Sequence, residues 1–229
     1  MANRESFMTE ALRPDYWSAS LRRMARRAYG IWGKRAVDLL VAIPLTIMLL
    51  PLMVVLLLLV AVDGHGPLFV QDRIGRRGRR FACLKIRSMV PDADARLAEL
   101  LRSDAEAAAE WAKDQKLEND PRITRIGRFL RKTSLDELPQ LWNIIRGEMS
   151  LVGPRPVVPD ELERYGPHAR HYLAVTPGLT GPWQVSGRND VTYDERVQMD
   201  VGYARRHSLF GDLRLVFLTG LAVMRQTGK

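Results

Sequence analysis

LLVAIPLTIMLLPLMVVLLLLVAV, from Leu39 to Val62, carries no ionisable side chain, and its reading decides the architecture of the chain. Roughly 20 apolar residues at about 1.5 Å each cross the hydrocarbon of a bilayer, so the run is long enough to do so. Its flanks argue against a plain crossing. Arg22, Arg23, Arg26, Arg27, Lys34 and Arg35 precede it, and Arg73, Arg76, Arg77, Arg79, Arg80, Lys85 and Arg87 follow. Positive charge is retained on the cytoplasmic side, and a crossing would place one cluster outside. A segment that enters and returns satisfies both. Pro44 and Pro51 provide the means, because each lacks a donor N–H and clashes with the preceding helical turn. The expectation is a re-entrant helix broken at Pro51 with help from Pro44; a kinked single span is the alternative. A cleaved signal peptide is not expected, given the late start and the length of the run.

Outward from this segment the chain divides into three. Residues 1–35 read as a basic, interfacial or partly disordered approach, residues 36–62 as the membrane helix, and residues 63–229 as a cytosolic domain. The 35 Lys and Arg exceed the 26 Asp and Glu by nine, a balance suited to anionic lipid, nucleic acid or phosphorylated substrates. Cys83 is the single cysteine, which excludes an intrachain disulfide framework and a thiolate metal cluster. Set between apolar neighbours, it reads as a buried structural thiol. The four histidines show no HExxH spacing.

Residues 68–90 alternate apolar side chains with Gly and Arg, as two short strands around a basic turn do. A helix is expected from about Asp92 to Lys116, and a short WQV strand near Trp183. The apolar C-terminal stretch after Ser208 reads as a helix buried in the domain or seated shallowly in the membrane.

The densest chemistry lies in TRIGRFLRKTSLDELPQLWNIIRGEMSLVGPRP, residues 124–156. Ser134 and Glu137 have capping-box spacing, which places Asp136 and Glu137 in a first helical turn. Pro139 conflicts with that register, and a start one to three residues later removes the conflict. An Asp among free backbone donors, near Arg131 and Lys132, is held as an anion, fit for a nucleophile or a metal ligand. Helix capping alone is the plainer reading of the pair. Pro154 and Pro156 bracket Arg155 and restrict its backbone, so that its guanidinium can hold phosphoryl oxygens.

KIRSM at 85–89, DPRITRIGRFLRKTSLDELPQLWNIIRGEMSLVGPRP at 120–156 and PGLTGPWQVSGRND at 177–190 together resemble the bacterial sugar transferase family, the monotopic phosphoglycosyl transferases. The resemblance covers residues 34–225. It implies an α/β catalytic domain on the cytoplasmic face of the bacterial inner membrane, carried by a re-entrant helix and interfacial helices. It further implies transfer of a sugar 1-phosphate from a UDP-sugar to undecaprenyl phosphate, with Mg2+ bound near Asp136. Asp136 matches the nucleophile and Glu137 its carboxylate partner, both placed to serve the metal. Arg131 and Arg155 match phosphate-contacting arginines, and Lys85, Arg87, Gln184 and Arg188 are substrate or support candidates.

The details look closest to transferases that initiate exopolysaccharide or O-antigen assembly, with UDP-galactose preferred and UDP-glucose the alternative. Pro182, where relatives commonly have a bulkier apolar residue, bears on the sugar. The chain resembles the compact form of the family, without an additional multispanning module. Anionic membrane lipids are expected partners, a homodimer stays open, and no nucleic-acid partner is expected. Two other readings remain: an inactive scaffold of the same fold, and a membrane-tethered nucleic-acid-binding protein, for which no recognition helix or zinc finger is present.

Overall fold

One face of the apolar helix is buried at both ends and half-buried between them. In the computed structural model, which describes residues 29–62, 66–114, 117, 119–186 and 191–224, a π-helical turn (Tyr29–Gly33) runs into helix α1 (Lys34–Ala61). Most of the expected N-terminal approach, and Arg188, lie outside the described residues. Residues 42, 45, 49, 53, 56 and 60 of α1 are buried or half-buried, recurring every three or four positions. The intervening Leu40, Ile47, Met48, Val55 and Leu58 are exposed. Near the N-terminal end, Ala42, Leu45 and Leu49 pack with Phe81, Leu141 and Ile144. Near the other end, Leu56 and Val60 pack with Ile86 and Leu130. Pro44 and Pro51 both fall inside α1, and the chain does not leave the helix at either. The expected break is therefore not a helix end; neighbouring turns carry the chain through.

Polar contacts fasten the start of α1 to the domain. Asp38 is buried and accepts hydrogen bonds from Ser150 Oγ and the Leu151 N–H, each at 2.9 Å. The Arg35 guanidinium donates to the carbonyls of Ile144 and Ile145, where a helix C-terminus presents partial negative charge.

Strands β1 (Leu68–Ile74) and β2 (Arg80–Ile86) form the expected hairpin, antiparallel from Leu68 opposite Ile86 to Ile74 opposite Arg80. The expected helix over 92–116 is two helices, α2 (Ala93–Ser103) and α3 (Ala105–Asp114). Asp104 interrupts them in extended geometry, and its carboxylate accepts from the N–H groups of Glu106 and Ala107, capping the second. Next come α4 (Arg125–Thr133), α5 (Gln140–Arg146) and β3 (Ser150–Val152). Helices α6 (Pro159–Glu163) and α7 (Ala169–Ala174) lead to β4 (Gly178–Thr180), which pairs with β3 in parallel. The WQV segment is helical, not a strand: α8 (Pro182–Val185) opens on Pro182, whose fixed φ suits a first helical position. Helices α9 (Tyr193–Arg206) and α10 (Leu209–Met224) follow.

The result is a mixed helix and strand domain with, among the described residues, two separate two-stranded sheets. Helix α10 has an inverted polarity. Asp212 is 3% exposed and holds Tyr29, Lys34 and Tyr203, whereas Phe210 is 83% and Phe217 67% exposed.

Candidate active site

Asp136 and Glu137 sit in a 3-10 turn (Leu135–Glu137) between α4 and α5. Ser134 does not cap this turn with its side chain. It ends α4 in left-handed geometry, at φ 58°, and redirects the backbone so that Asp136 is buried. Helix α5 starts only after Pro139, so the later register removes the proline conflict.

Two elements press on the turn from either side. On one, Thr124 caps α4 by accepting the Gly127 N–H at 2.9 Å. Gly127 then touches the backbone of Ser88 so closely that a Cβ would lie 1.9 Å from the Ser88 carbonyl oxygen. One turn on, Arg131 Nε donates to Ser88 Oγ at 2.8 Å, which fixes its guanidinium at the end of the KIRSM strand. On the other, Asn143 of α5 grips β2 as a neighbouring strand would. Its Oδ1 accepts from the Leu84 N–H and its Nδ2 donates to the Ala82 carbonyl. Lys85 is thereby held in place to donate from Nζ to Glu137 Oε1 at 2.7 Å.

The glycines of the two later motifs bring Arg155 to the same place. A Cβ on Gly178 would lie 2.1 Å from the Gly153 nitrogen, and one on Gly181 would lie 2.3 Å from the Gly153 oxygen. SLVGPRP and PGLTGPW can lie side by side only because these positions have no side chain. Arg155 Nη1 then comes to 3.7 Å from Glu137 Oε1. Two cations approach the Trp183 ring, with the Arg155 guanidinium carbon 6.0 Å and that of Arg196 4.5 Å from its centroid.

A pocket opens here, lined by Arg73, Lys85, Glu137, Gln140, Arg155 and Gln184 among others. Lys85, Glu137, Arg155 and Gln184 of the sequence-derived candidates therefore meet. Asp136 lies just off that wall, 3.9 Å from Lys85 Nζ, with Arg131 behind it. Arg87 is not brought in: it reaches back toward the Leu68 carbonyl. Arg188 is outside the described residues.

Gln140, Asn143, Glu161 and Arg196 were not among the expected site residues, and Arg73 only as part of a basic group. Arg73 donates to the Pro156 carbonyl at 2.9 Å and to Glu161 at 3.2 Å, bracing the turn that carries Arg155. Cys83 is 2% exposed, and burial raises its thiol pKa, as suits a structural cysteine.

The two adjacent acids differ electrostatically. Burial raises the Asp136 pKa, and the pull of Lys85, Arg131 and Arg155 only partly offsets burial and the Glu137 charge. Burial also opposes ionised Glu137, but Lys85, Arg155 and the Lys85 hydrogen bond together outweigh it and hold its pKa below the usual range. Glu137 is thus a paired anion. Among the described residues no hydrogen bond is made to the Asp136 carboxylate, which is left with spare acceptor capacity.

The profile of the bacterial sugar transferase family matches residues 29–226. The chain belongs to the bacterial sugar transferase family. Among members of the family, it is 54% identical to the UDP-galactose-lipid carrier transferase of Erwinia amylovora over 85% of this chain and 41% of the relative. It is 52% identical to the undecaprenyl-phosphate galactose phosphotransferase of Salmonella typhimurium, over 85% and 41% again. Thus it spans about two fifths of the length of these bacterial sugar transferases. The exopolysaccharide production protein ExoY of Rhizobium meliloti is 50% identical over 89% of this chain and 91% of its own length.

Proposed function

We propose that this bacterial sugar transferase moves a hexose 1-phosphate from a UDP-sugar to undecaprenyl phosphate at the cytoplasmic face of the inner membrane. UDP-galactose is the favoured donor, since both named galactose enzymes exceed 50% identity; UDP-glucose is the alternative. The product would initiate exopolysaccharide or O-antigen assembly. The observation that carries this reading is the placement of a buried carboxylate, Asp136, which accepts no hydrogen bond among the described residues and stands 3.9 Å from Lys85, next to a pocket faced by Lys85, Arg73 and Arg155.

Asp136 attacks the phosphorus next to the sugar. A carboxylate oxygen–phosphorus bond forms, the bond to the bridging pyrophosphate oxygen breaks, and UMP leaves with the electron pair. An oxygen of undecaprenyl phosphate then attacks the same phosphorus and releases Asp136 as a carboxylate, yielding the lipid diphosphate sugar. The acceptor phosphate is ionised near neutral pH, so no side-chain base is needed. Arg155 and Arg131 hold phosphoryl oxygens in line, and Lys85 keeps Glu137 anionic without drawing Asp136 away.

Mg2+ fits this arrangement. It characteristically takes one or two carboxylates together with substrate phosphates and water, and the Asp136 oxygens accept no hydrogen bond from the described residues. Asp136 would hold it, with Glu137 shaping the field alongside. When bound, the ion would neutralise charge on the donor diphosphate and on the leaving UMP.

The membrane reading rests on α1. A helix of 28 residues is about 42 Å long, and a perpendicular crossing would carry its far end away from the domain. Both ends rest instead on the same domain. This supports a segment that enters and leaves on one face, bending at Pro44 and Pro51 without breaking, with the apolar face of α10 seated beside it.

Turnover with undecaprenyl phosphate, Mg2+ and a panel of UDP-sugars tests the proposal. Wild-type protein should release UMP and yield a trappable sugar-phosphoryl enzyme, and Asp136→Asn should do neither. Lipid-linked product from Asp136→Asn would refute the assigned nucleophile.

A further inference from the structure

Behind the base of α1 lies a second cavity of about 270 Å³, which shares no lining residue with the catalytic pocket. Lys34 and Arg35 of α1, Arg76 of the β1–β2 turn, and Thr176, Tyr203 and His207 form much of its wall. A single water takes about 30 Å³, so the space admits a hydrated phosphate group.

Its charges are unevenly satisfied. Lys34 is matched by Asp212, at 2.6 Å. Asp38, also on the wall, is held by Ser150 and the Leu151 N–H. Arg35 donates to two backbone carbonyls at a helix C-terminus, whose partial negative charge offsets only part of its own, and it makes no ion pair with a carboxylate among the described residues. Arg76 makes no ion pair with a carboxylate among the described residues. Beside it Arg77, Arg79 and Arg80 are exposed, so the RRGRR segment carries four arginines, of which Arg76 reaches the cavity wall. Arg77 holds φ at 61°, a left-handed conformation that a residue other than glycine adopts at a cost, and the turn packs beside α7, whose Ala174 also lines the cavity. Finally, the buried Nδ1 of His207 has no hydrogen-bond partner among the described residues. Nothing in the proposed transfer chemistry uses this cluster.

We propose that this cavity is a non-catalytic binding site for a phosphoryl anion, supplied by the headgroup of an anionic phospholipid or by free phosphate. Guanidinium groups with spare donors recognise phosphate oxygens by directed, charge-assisted hydrogen bonds. The location favours the lipid. The cavity adjoins the first turn of the apolar helix, and Trp32, 79% exposed just before it, suits the headgroup level. The lipid source rests on the membrane reading of α1, while the anion site itself stands apart from the transferase assignment.

Two arms separate the sources. Full-length protein in nanodiscs of phosphatidylcholine with graded phosphatidylglycerol is examined by native mass spectrometry for retained lipid. Delipidated protein in detergent is titrated with inorganic phosphate and followed by phosphorus NMR line broadening. Arg76→Glu places a carboxylate on the rim, and Ala174→Glu places one on the wall from α7. Asp136-dependent turnover at saturating substrates reports folding in each sample and should stay near wild type in both variants. Wild-type protein should retain phosphatidylglycerol in excess of its share of the bilayer, with binding roughly tenfold weaker in either variant. Phosphate broadening that the variants abolish, without a lipid preference, would assign the same site to free phosphate. If wild type and both active variants behave alike in both arms, the site does not exist.

Discussion

Lys85 donates to Glu137 at 2.7 Å while standing 3.9 Å from Asp136, so one ammonium serves two adjacent acids unequally. Lys85→Met should therefore act first on Glu137, leaving a half-buried carboxylate with Arg155 at 3.7 Å as its one remaining ion-pair partner among the described residues. A loss of about 1–3 kcal/mol is expected, because an unmatched buried charge costs more than the pair contributes. Glu137→Gln added to Lys85→Met should restore most of it. Thermal melts of the detergent-purified set measure this coupling, and strictly additive losses would mean that the pair is not energetically linked.

Asp136 must be ionised to attack, and burial has raised its pKa above the ordinary aspartate value of about 3.9. The acid limb of the kcat/KM profile for the donor should accordingly lie above that value. Arg131 lowers the Asp136 pKa, so Arg131→Gln should shift the limb to higher pH as well as weaken turnover. A limb that stays put would separate Arg131 from the electrostatics of the nucleophile.

Asp200 gives a pH test of stability away from the site. It is 1% exposed, accepts from Tyr165 at 2.7 Å, and has a second oxygen with no partner. Burial raises its pKa from 3.8 to about 7. The folded state thus favours the protonated form: the benefit is complete below pH 3.8 and is lost as pH rises through about 7. Asp200→Asn can still accept from Tyr165. It should raise the melting temperature at pH 8, by up to a few kcal/mol in stability, and change little at pH 4. Equal effects at the two pH values would contradict this.

Glycines predict opposite outcomes in two places. Gly178→Ala would drive a Cβ to 2.1 Å from the Gly153 nitrogen, which only backbone movement can relieve. About 2 kcal/mol or more of destabilisation is expected, with loss of turnover as Arg155 shifts. Gly220, inside α10, has nothing within 4 Å of such a Cβ, and Gly220→Ala should be neutral or stabilising by up to about 1 kcal/mol. Both are read from melting curves.

The hairpin was legible because it rests on local alternation, and Lys85, Glu137 and Arg155 were each legible as candidates from dense motifs, but their meeting spans up to 70 positions and only the fold creates it. Ser134 misled as a cap because Ser-x-x-Glu spacing does not say whether the residue begins one helix or ends another; here Leu130 and Thr133 belong to a helix already running. Asp104 broke the long expected helix by capping from within it. Trp183 looked like a strand residue until Pro182 is given its weight as a helix start. Asn143 gave no local signal at all. Its grip on β2 joins residues 59 and 61 positions apart, and only the fold creates it.

The one-sided topology proposed for α1 turns on its two ends. Leu56 and Val60 pack on Ile86 and Leu130, while Ala42 packs on Ile144, all within one domain. For a crossing helix, Leu56 and Val60 would have to leave their neighbours, exposing Ile86 and Leu130, which are 1% and 0% exposed. At about 25 cal/mol per Å², opening these contacts costs several kcal/mol, and arginines would be placed on the far side as well. Arg27→Cys and Arg79→Cys, each in a Cys83→Ala background, should therefore both react with a membrane-impermeant maleimide only after the cytoplasmic side is opened. Labelling of either from the outside in intact cells would establish a crossing and remove the basis for a one-sided helix.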